Sequence, residues 1–300
     1  MPGAAPHTPW AVAGLLLNAF VWGLSWWPFK RLESLGLHPL WATAIVYGLS
    51  FMAIALWCRI ARVPAGAWRA HPGLWWLLIA SGLTNVGFNW AVTVGDVVRV
   101  VLLFYLMPAW SVLVAWWLLG ERPTRGALLR LLLALAGLVV VLHRPESPWP
   151  VPESLADVLA LLGGFSFALT NALLLKLKDT PESSRMLAMF GGGAAMAALT
   201  ALLAGHSALV VQNTLWNPDW RGPVAVLTLA FLGGNIALQY GAARLPAHTT
   251  ALVMLSEVVF ASASSVILGA SGWDARTLWG GALILLAAVL SVAMPNRAPS

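Results

Sequence analysis

Charge is what this 300-residue sequence has least of. Lys, Arg, Asp and Glu make up 9% of it, where a water-soluble domain carries about 25%. A soluble fold of this length would expose far more surface than 17 basic and 11 acidic side chains can cover. That excludes one or two soluble domains, and it excludes a disordered chain, which needs low hydrophobicity and high charge. Cysteine is nearly absent. The single Cys58 supports neither a disulfide framework nor a cysteine-built metal cage. Basic clusters are missing as well: the formal charge of +6 comes from scattered residues, so no nucleic-acid partner is expected. There is no Gly-x-x-x-x-Gly-Lys-Ser/Thr loop to cradle a nucleotide. The six His residues, from His7 to His248, stand singly and suggest no zinc set. No Ser–His–acid combination stands out. Neither a cofactor, a metal nor an enzymatic activity is expected.

What is there is apolar. Hydrophobic residues make up 60% of the chain, and they fall into runs. A hydrocarbon core of roughly 30 Å needs about 20 mostly apolar residues per helical crossing. Ten such runs lie near 10–29, 39–58, 73–93, 97–119, 127–143, 155–175, 185–205, 223–243, 248–269 and 277–294. They are too long and too evenly apolar for the alternating strands of an outer-membrane barrel. The expected fold is an all-α polytopic membrane protein of ten transmembrane helices. The segment before Trp10 has no Lys or Arg to start a cleavable signal peptide, so the first run is read as a span.

Lys and Arg orient the chain. With the N-terminus in the cytoplasm, eleven fall inside, among them Arg59, Arg62, Arg69 and Arg125, and six fall outside, among them Lys30, Arg31 and Arg99. That asymmetry puts both termini inside. Many of the 18 Trp residues sit near span ends, for example Trp41, Trp57, Trp75, Trp76, Trp116, Trp117 and Trp279, where indole rings suit the headgroup belt.

The two halves of the chain resemble each other. Phe20–Trp26 aligns with Phe165–Asn171, and Asn85–Ala91 with Asn235–Gly241. At the second offset Trp110 falls on Phe260 and Met107 on Glu257. Residues 1–147 and 153–296 thus read as five spans each, joined by the Pro-rich segment Arg144–Pro152. Five is odd, so the second half enters the membrane from the opposite side. Such inverted repeats let many secondary transporters rock two halves about a central site; the other reading is a duplication that serves packing alone.

Short motifs point to a family. Leu103-Phe-Tyr-Leu-Met-Pro-Ala-Trp110, then Leu119-Gly-Glu-Arg-Pro-Thr124, Leu135-Ala-Gly-Leu138 and Phe20-Val-Trp-Gly-Leu-Ser25 resemble the EamA-type drug/metabolite transporter superfamily. Leu255-Ser-Glu-Val-Val-Phe260 stands where that family often has Glu-Pro, and Leu268-Gly-Ala-Ser271 lacks the acid of the first half's Gly-Glu. Within the superfamily the chain most resembles bacterial aromatic amino-acid exporters. The resemblance implies a bacterial inner-membrane carrier with spans one, three, four, six, eight and nine lining its path. It would export small organic solutes, foremost amino acids with apolar or aromatic side chains. Uptake of a metabolite or export of toxic organic cations is the alternative, and an intramembrane enzyme or lipid-handling scaffold the distant one. Its partners would be membrane lipids and a small-molecule substrate, with the chain a monomer or weak dimer.

Polar side chains in mid-span usually face a bundle interior or a wet cavity, and they supply the candidate site. Glu257 forms a stripe with Thr250 and Ser264, seven residues to either side. It reads as a proton-coupling carboxylate or partner of a substrate ammonium, or else as an acid that holds helices together. Asn85 with Asn89, and Asn235 with Gln239, are stacked pairs at i, i+4, suited to a zwitterion or to interhelical hydrogen bonds. Asn18 and Asn171 are of the same kind. Asp96 reads as a helix N-cap. Arg99 pairs with Asp96 or holds a substrate carboxylate. The aromatic pairs Trp22–Phe167, Trp90–Tyr240 and Trp110–Phe260 wall a cavity or simply pack. Pro28 and Pro108 are expected to kink their spans. Gly191–Gly193 marks close helix contact, and Glu121 a salt-bridged turn.

Overall fold

In a computed structural model the described residues are 8–63, 68–120, 125–143, 151–205, 218–242, 253–254, 256–270, 272 and 275–293. Among them there are helices and no strands. Seven helical stretches are long and apolar enough to cross a membrane: Pro9–Ser34, Pro39–Ile60, Gly73–Val94, Val97–Leu118, Leu155–Leu174, Glu182–Leu203 and Pro218–Leu238. Three shorter apolar helices, Leu131–Val140, Ser256–Ile267 and Leu278–Ala287, overlap the remaining expected runs. Thr250, Glu121 and the linker up to Pro150 lie outside the described residues, as does the side chain of Gln239.

The exterior is as apolar as the interior. Trp10, Trp57, Trp75, Trp76, Trp116, Trp117 and Trp279 are all more than half exposed, and leucines such as Leu56, Leu129, Leu132, Leu203 and Leu229 face outward between them. Exposed apolar surface on this scale needs lipid around it. The chain is a multi-pass helical membrane protein.

Two spans are broken, and proline explains where. Proline lacks the N–H that would bond the carbonyl four residues back, and its ring crowds that carbonyl. For Pro28 and Pro108 those carbonyls belong to Leu24 and Phe104. The first span is α1 (Thr8–Leu24) followed by α2 (Trp26–Ser34), and the fourth is α5 (Val97–Phe104) followed by α6 (Met107–Val114) and a π-helical turn at Ala115–Leu119. Each break falls where the proline forbids the bond. At the first, the Ser25 hydroxyl donates to Trp22 O at 2.8 Å. Gly36, at φ 86°, closes α2, and Leu37 N reaches back to Leu32 O at 2.9 Å, a left-handed cap that glycine adopts without strain.

The other helices are α3 (Pro39–Ile60), α4 (Gly73–Val94), α7 (Arg125–Leu142), α8 (Leu155–Lys176), α9 (Glu182–Leu203), α10 (Pro218–Ala242), α11 (Ser256–Ile267) and α12 (Ala275–Ala293). In the bundle α4 packs on α8 and α9, α3 on α9 and α10, α1 on α10 and α11, and α7 on α12, while α5 and α6 pack on α8. Lipid tails drive no apolar collapse between helices, so close backbone approach carries the packing. At the α4–α8 crossing a Cβ on Gly87 would stand 2.7 Å from Leu159 O. At the α1–α10 crossing a Cβ on Gly14 would stand 2.8 Å from Ala237 O. Gly191–Gly193 lies on α9 where α3 and α4 meet it: a Cβ on Gly191 would be 3.3 Å from the Phe51 ring, and one on Gly192 2.9 Å from Leu78 C.

Candidate functional site

A cavity opens among α1, α3, α4, α8, α9 and α10. It holds about 500 Å³ of empty space, mouth included, and is lined by Trp22, Tyr47, Ser81, Thr84, Asn85, Phe167, Thr170, Met189, Phe190, Phe231 and Asn235. No Asp, Glu, Lys, Arg or His is among them. Five lining residues come from the first half of the chain and six from the second. Aromatic rings form one wall. Trp22 stacks on Phe231 with centroids 4.8 Å apart and planes at 25°, and Tyr47 approaches Phe231 at 5.5 Å and Phe190 at 5.7 Å.

The polar wall is tied back to the helices. The Tyr47 hydroxyl donates to Asn85 Oδ1, and Asn85 Nδ2 donates to Ser81 O at 2.7 Å. These two bonds fix which way the amide points, because oxygen faces a donor and nitrogen a carbonyl. Thr84 and Thr170 each donate to the carbonyl four residues back, Ala80 O and Ser166 O, both at 2.9 Å. The two hydroxyl oxygens then face each other at 3.5 Å.

Of the residues expected from sequence, Trp22, Asn85 and Asn235 line this cavity, as does Phe167, the ring paired with Trp22. Asn89 sits one turn beyond Asn85 on the same helix but turns to Thr43, whose Oγ1 accepts from its Nδ2 at 3.3 Å. Trp90 packs edge-on to His38 at 5.4 Å. Trp110 meets Phe165 at 5.7 Å and 90°. Asn171 is exposed, its Nδ2 3.9 Å from Met107 Sδ. Tyr240 is half-buried near the end of α10. Of the seven other lining residues, only Thr170 lies within one of the repeats, Phe165–Asn171. Tyr47, Thr84 and Thr170 did carry a weak signal, since each is a polar side chain well inside a span.

Glu257 is buried in the first turn of α11, away from the cavity. The Tyr105 hydroxyl, in the break of the fourth span, lies 2.9 Å from Glu257 Oε2 and 3.3 Å from Met254 O. Rings connect this acid to the cavity wall: Trp22 to Phe88 at 6.0 Å, Phe88 to Phe104 at 4.8 Å, and Phe104 to Tyr105 at 6.2 Å. Ser264, two turns further along α11, accepts from Trp26 Nε1 at 3.0 Å.

Arg99 has a partner that its own helix did not reveal. Asp96 Oδ1 accepts from the Arg99 backbone N–H at 2.8 Å, so the carboxylate acts as the expected N-cap. The Arg99 guanidinium instead grips Asp157 of α8 with two bonds, Nε to Oδ1 at 2.8 Å and Nη2 to Oδ2 at 3.0 Å. The Asp157 side chain is 1% exposed and that of Arg99 16%. A carboxylate that receives a planar fork in this way is held in both distance and angle. This ion pair joins the two halves of the chain.

Residues 9–143 match the family model described as the EamA-like transporter family. No curated protein matches the sequence. Fifteen solved chains are similar in structure. One of them, described only as "Crystal structure of protein", superposes with a TM-score of 0.59 at 18% identity, covering 97% of this chain and 98% of its own. At that identity the likeness establishes a shared fold.

Proposed function

We propose that the chain is a secondary transporter of the EamA type, which carries small organic solutes across a bacterial inner membrane by alternating access around the central cavity. In this reading the three shorter helices cross as well, giving ten spans in two inverted repeats, residues 1–147 and 153–296, with both termini in the cytoplasm. The packing pairs support it. Numbering the spans in order, three packs on six as eight packs on one, four on six as nine on one, and three on seven as eight on two. Two pairs with seven and five with ten, each span meeting its own counterpart. A two-fold axis in the membrane plane imposes that pattern. The Gly87–Leu159 and Gly14–Ala237 crossings are counterparts under the same alignment.

The observation that carries the function is the cavity, because its walls come from spans one, two and three and from their counterparts six, seven and eight. Tilting one half against the other would open such a site to each side in turn. Export of amino acids with apolar or aromatic side chains fits the ring-lined wall and the absence of charge. Uptake, or export of an organic cation, is the second reading, and the ring faces favour the cation. In this reading Glu257, in contact with the cavity wall through Tyr105, Phe104 and Phe88, links proton movement to this rocking. Purified protein in liposomes tests the proposal: counterflow of at least one amino acid, amine or metabolite from a broad panel is expected, and its absence for every compound would sink the carrier reading.

A further inference from the structure

Where the protons of the cavity's polar groups go decides what the cavity can hold. A hydroxyl has one proton and two lone pairs. Four hydroxyls line the cavity, and each spends its proton within the protein: Tyr47 on Asn85 Oδ1, Ser81 on Leu78 O at 3.3 Å, and Thr84 and Thr170 on the carbonyls of Ala80 and Ser166. What they show to a ligand is lone pairs. The Thr84 and Thr170 oxygens, one from each half of the chain, stand 3.5 Å apart with their short bonds directed into their own helices. The two hydroxyls are within hydrogen-bond reach of each other, and a donor from outside can be shared between their oxygens. Asn85 Oδ1, which accepts from Tyr47, has a further lone pair. Asn85 Nδ2 gives one of its two protons to Ser81 O, which leaves its second N–H as a donor.

The ring faces point the same way. Trp22, Tyr47, Phe190 and Phe231 line the cavity, and the negative quadrupole of an aromatic face attracts a cation and repels a carboxylate. A carboxylate in this space would need at least one cationic or multiply donating partner. Among the described residues the lining holds no Lys, Arg or His, and the guanidinium of Arg99 is committed to Asp157.

We infer that the cavity recognises a protonated primary amine carried on an apolar or aromatic body, and discriminates against the same body bearing a carboxylate. The ammonium of such a ligand places its three N–H bonds on the Thr84, Thr170 and Tyr47 oxygens, and its body lies on the rings. A zwitterionic amino acid satisfies the first half of that arrangement, and its carboxylate finds neutral N–H donors at most, with no cation to pair its charge. With no carboxylate in the lining to lock the ammonium, binding stays weak enough for release on the far side. This inference rests on the cavity being the substrate site of the proposed carrier, and by naming the substrate's head group it favours the organic-cation reading over the amino acid.

Four ligands with one ring and different heads test it: phenethylamine, phenylalanine, 3-phenylpropionate and trimethyl-phenethylammonium. Binding is measured calorimetrically on the full chain in detergent, and counterflow separately in liposomes. Phenethylamine is expected to bind at least about tenfold more tightly than phenylalanine, the desolvation of one unpaired carboxylate costing at least that much. The trimethylated cation, which has charge but no N–H, should be weaker than phenethylamine by several-fold, and 3-phenylpropionate should not bind. Thr84→Val with Thr170→Val, which keeps side-chain shape, should cut phenethylamine affinity about tenfold and leave the affinity for the trimethylated cation in place. Tyr47→Phe, which keeps the ring, should act in the same direction. Phenylalanine binding as well as phenethylamine, any binding of 3-phenylpropionate, no binding by any of the four, or an unchanged phenethylamine affinity in both variants would overturn the inference. Binding of phenethylamine without counterflow would instead overturn the carrier reading and leave the head-group preference standing. Counterflow of phenylalanine without that of the amine would do the reverse.

Discussion

The ion pair between Arg99 and Asp157 invites the most exact test, because its geometry and burial are both extreme for a charged pair. Consider Asp157→Asn. The amide keeps one oxygen to accept from Arg99, but it loses the second acceptor and the negative charge. Breaking a buried pair by removing one partner costs about 3–5 kcal/mol, since the other charge is left uncompensated. Arg99 is 16% exposed, so part of its charge is solvated, and the expected loss falls to about 2–3 kcal/mol. Asp157 also accepts from Glu153 N at 3.3 Å, a bond that asparagine retains. Arg99→Gln should cost a similar amount, because it strands a carboxylate that is 1% exposed. Made together, the two changes remove both charges and leave a neutral hydrogen-bonded pair, so the double variant should cost no more than either single change, a coupling of about 2–3 kcal/mol. Unfolding free energies of the four proteins in mixed detergent micelles measure this cycle. If the single effects add to within about 0.5 kcal/mol, the ion pair contributes nothing as a pair and the reasoning fails.

Three further outcomes are expected. Gly87→Val should lower the midpoint of thermal unfolding by the equivalent of about 1–3 kcal/mol, because its Cβ would stand 2.7 Å from Leu159 O and 2.9 Å from Gly163 Cα, and backbone cannot swing aside; an unchanged midpoint would mean that α4 and α8 are not in contact there. Glu257→Gln keeps an acceptor for the Tyr105 hydroxyl, so the protein should remain folded and carry out exchange. Proton-driven accumulation should disappear, and its persistence in liposomes with an imposed pH gradient would leave the acid a purely structural group. Asp96→Ala removes the oxygen that caps α5 at 2.8 Å and should reduce stability by about 1 kcal/mol, read in the same micelle titration, with counterflow unchanged.

Where sequence succeeded, the physics was local. A run of about 20 apolar residues meets the thickness of a bilayer whatever surrounds it, so the apolar stretches and the helices coincide. A proline breaks the bond to the carbonyl four residues back in any helix, so the breaks after Leu24 and Phe104 follow from Pro28 and Pro108. Asp96 caps the helix that starts beside it. The short repeats at Phe20–Trp26 and Asn85–Ala91 were enough to bring Trp22, Asn85 and Asn235 forward, all three of which line the cavity.

Where it did not, the missing information was long-range. Asn85 and Asn89 look interchangeable in a sequence, yet a four-residue step turns a helix about 40° past a full turn. That turn keeps Asn85 on the cavity wall and carries Asn89 to Thr43. Arg99 found its carboxylate 58 positions away, on a helix whose nearness to α5 no local pattern announces. The aromatic wall of Tyr47, Phe190 and Phe231 draws on three helices, and in a chain so rich in apolar side chains no single ring stands out before those helices meet. The sequence by itself determined that this protein lives in a membrane, where its helices run and where two of them break, because each depends on solvent and on neighbours within a turn. Only the tertiary structure decided which faces meet, and with that which polar atoms keep a lone pair for a ligand. Those choices are made between helices whose approach is set by glycine contacts far apart in the chain.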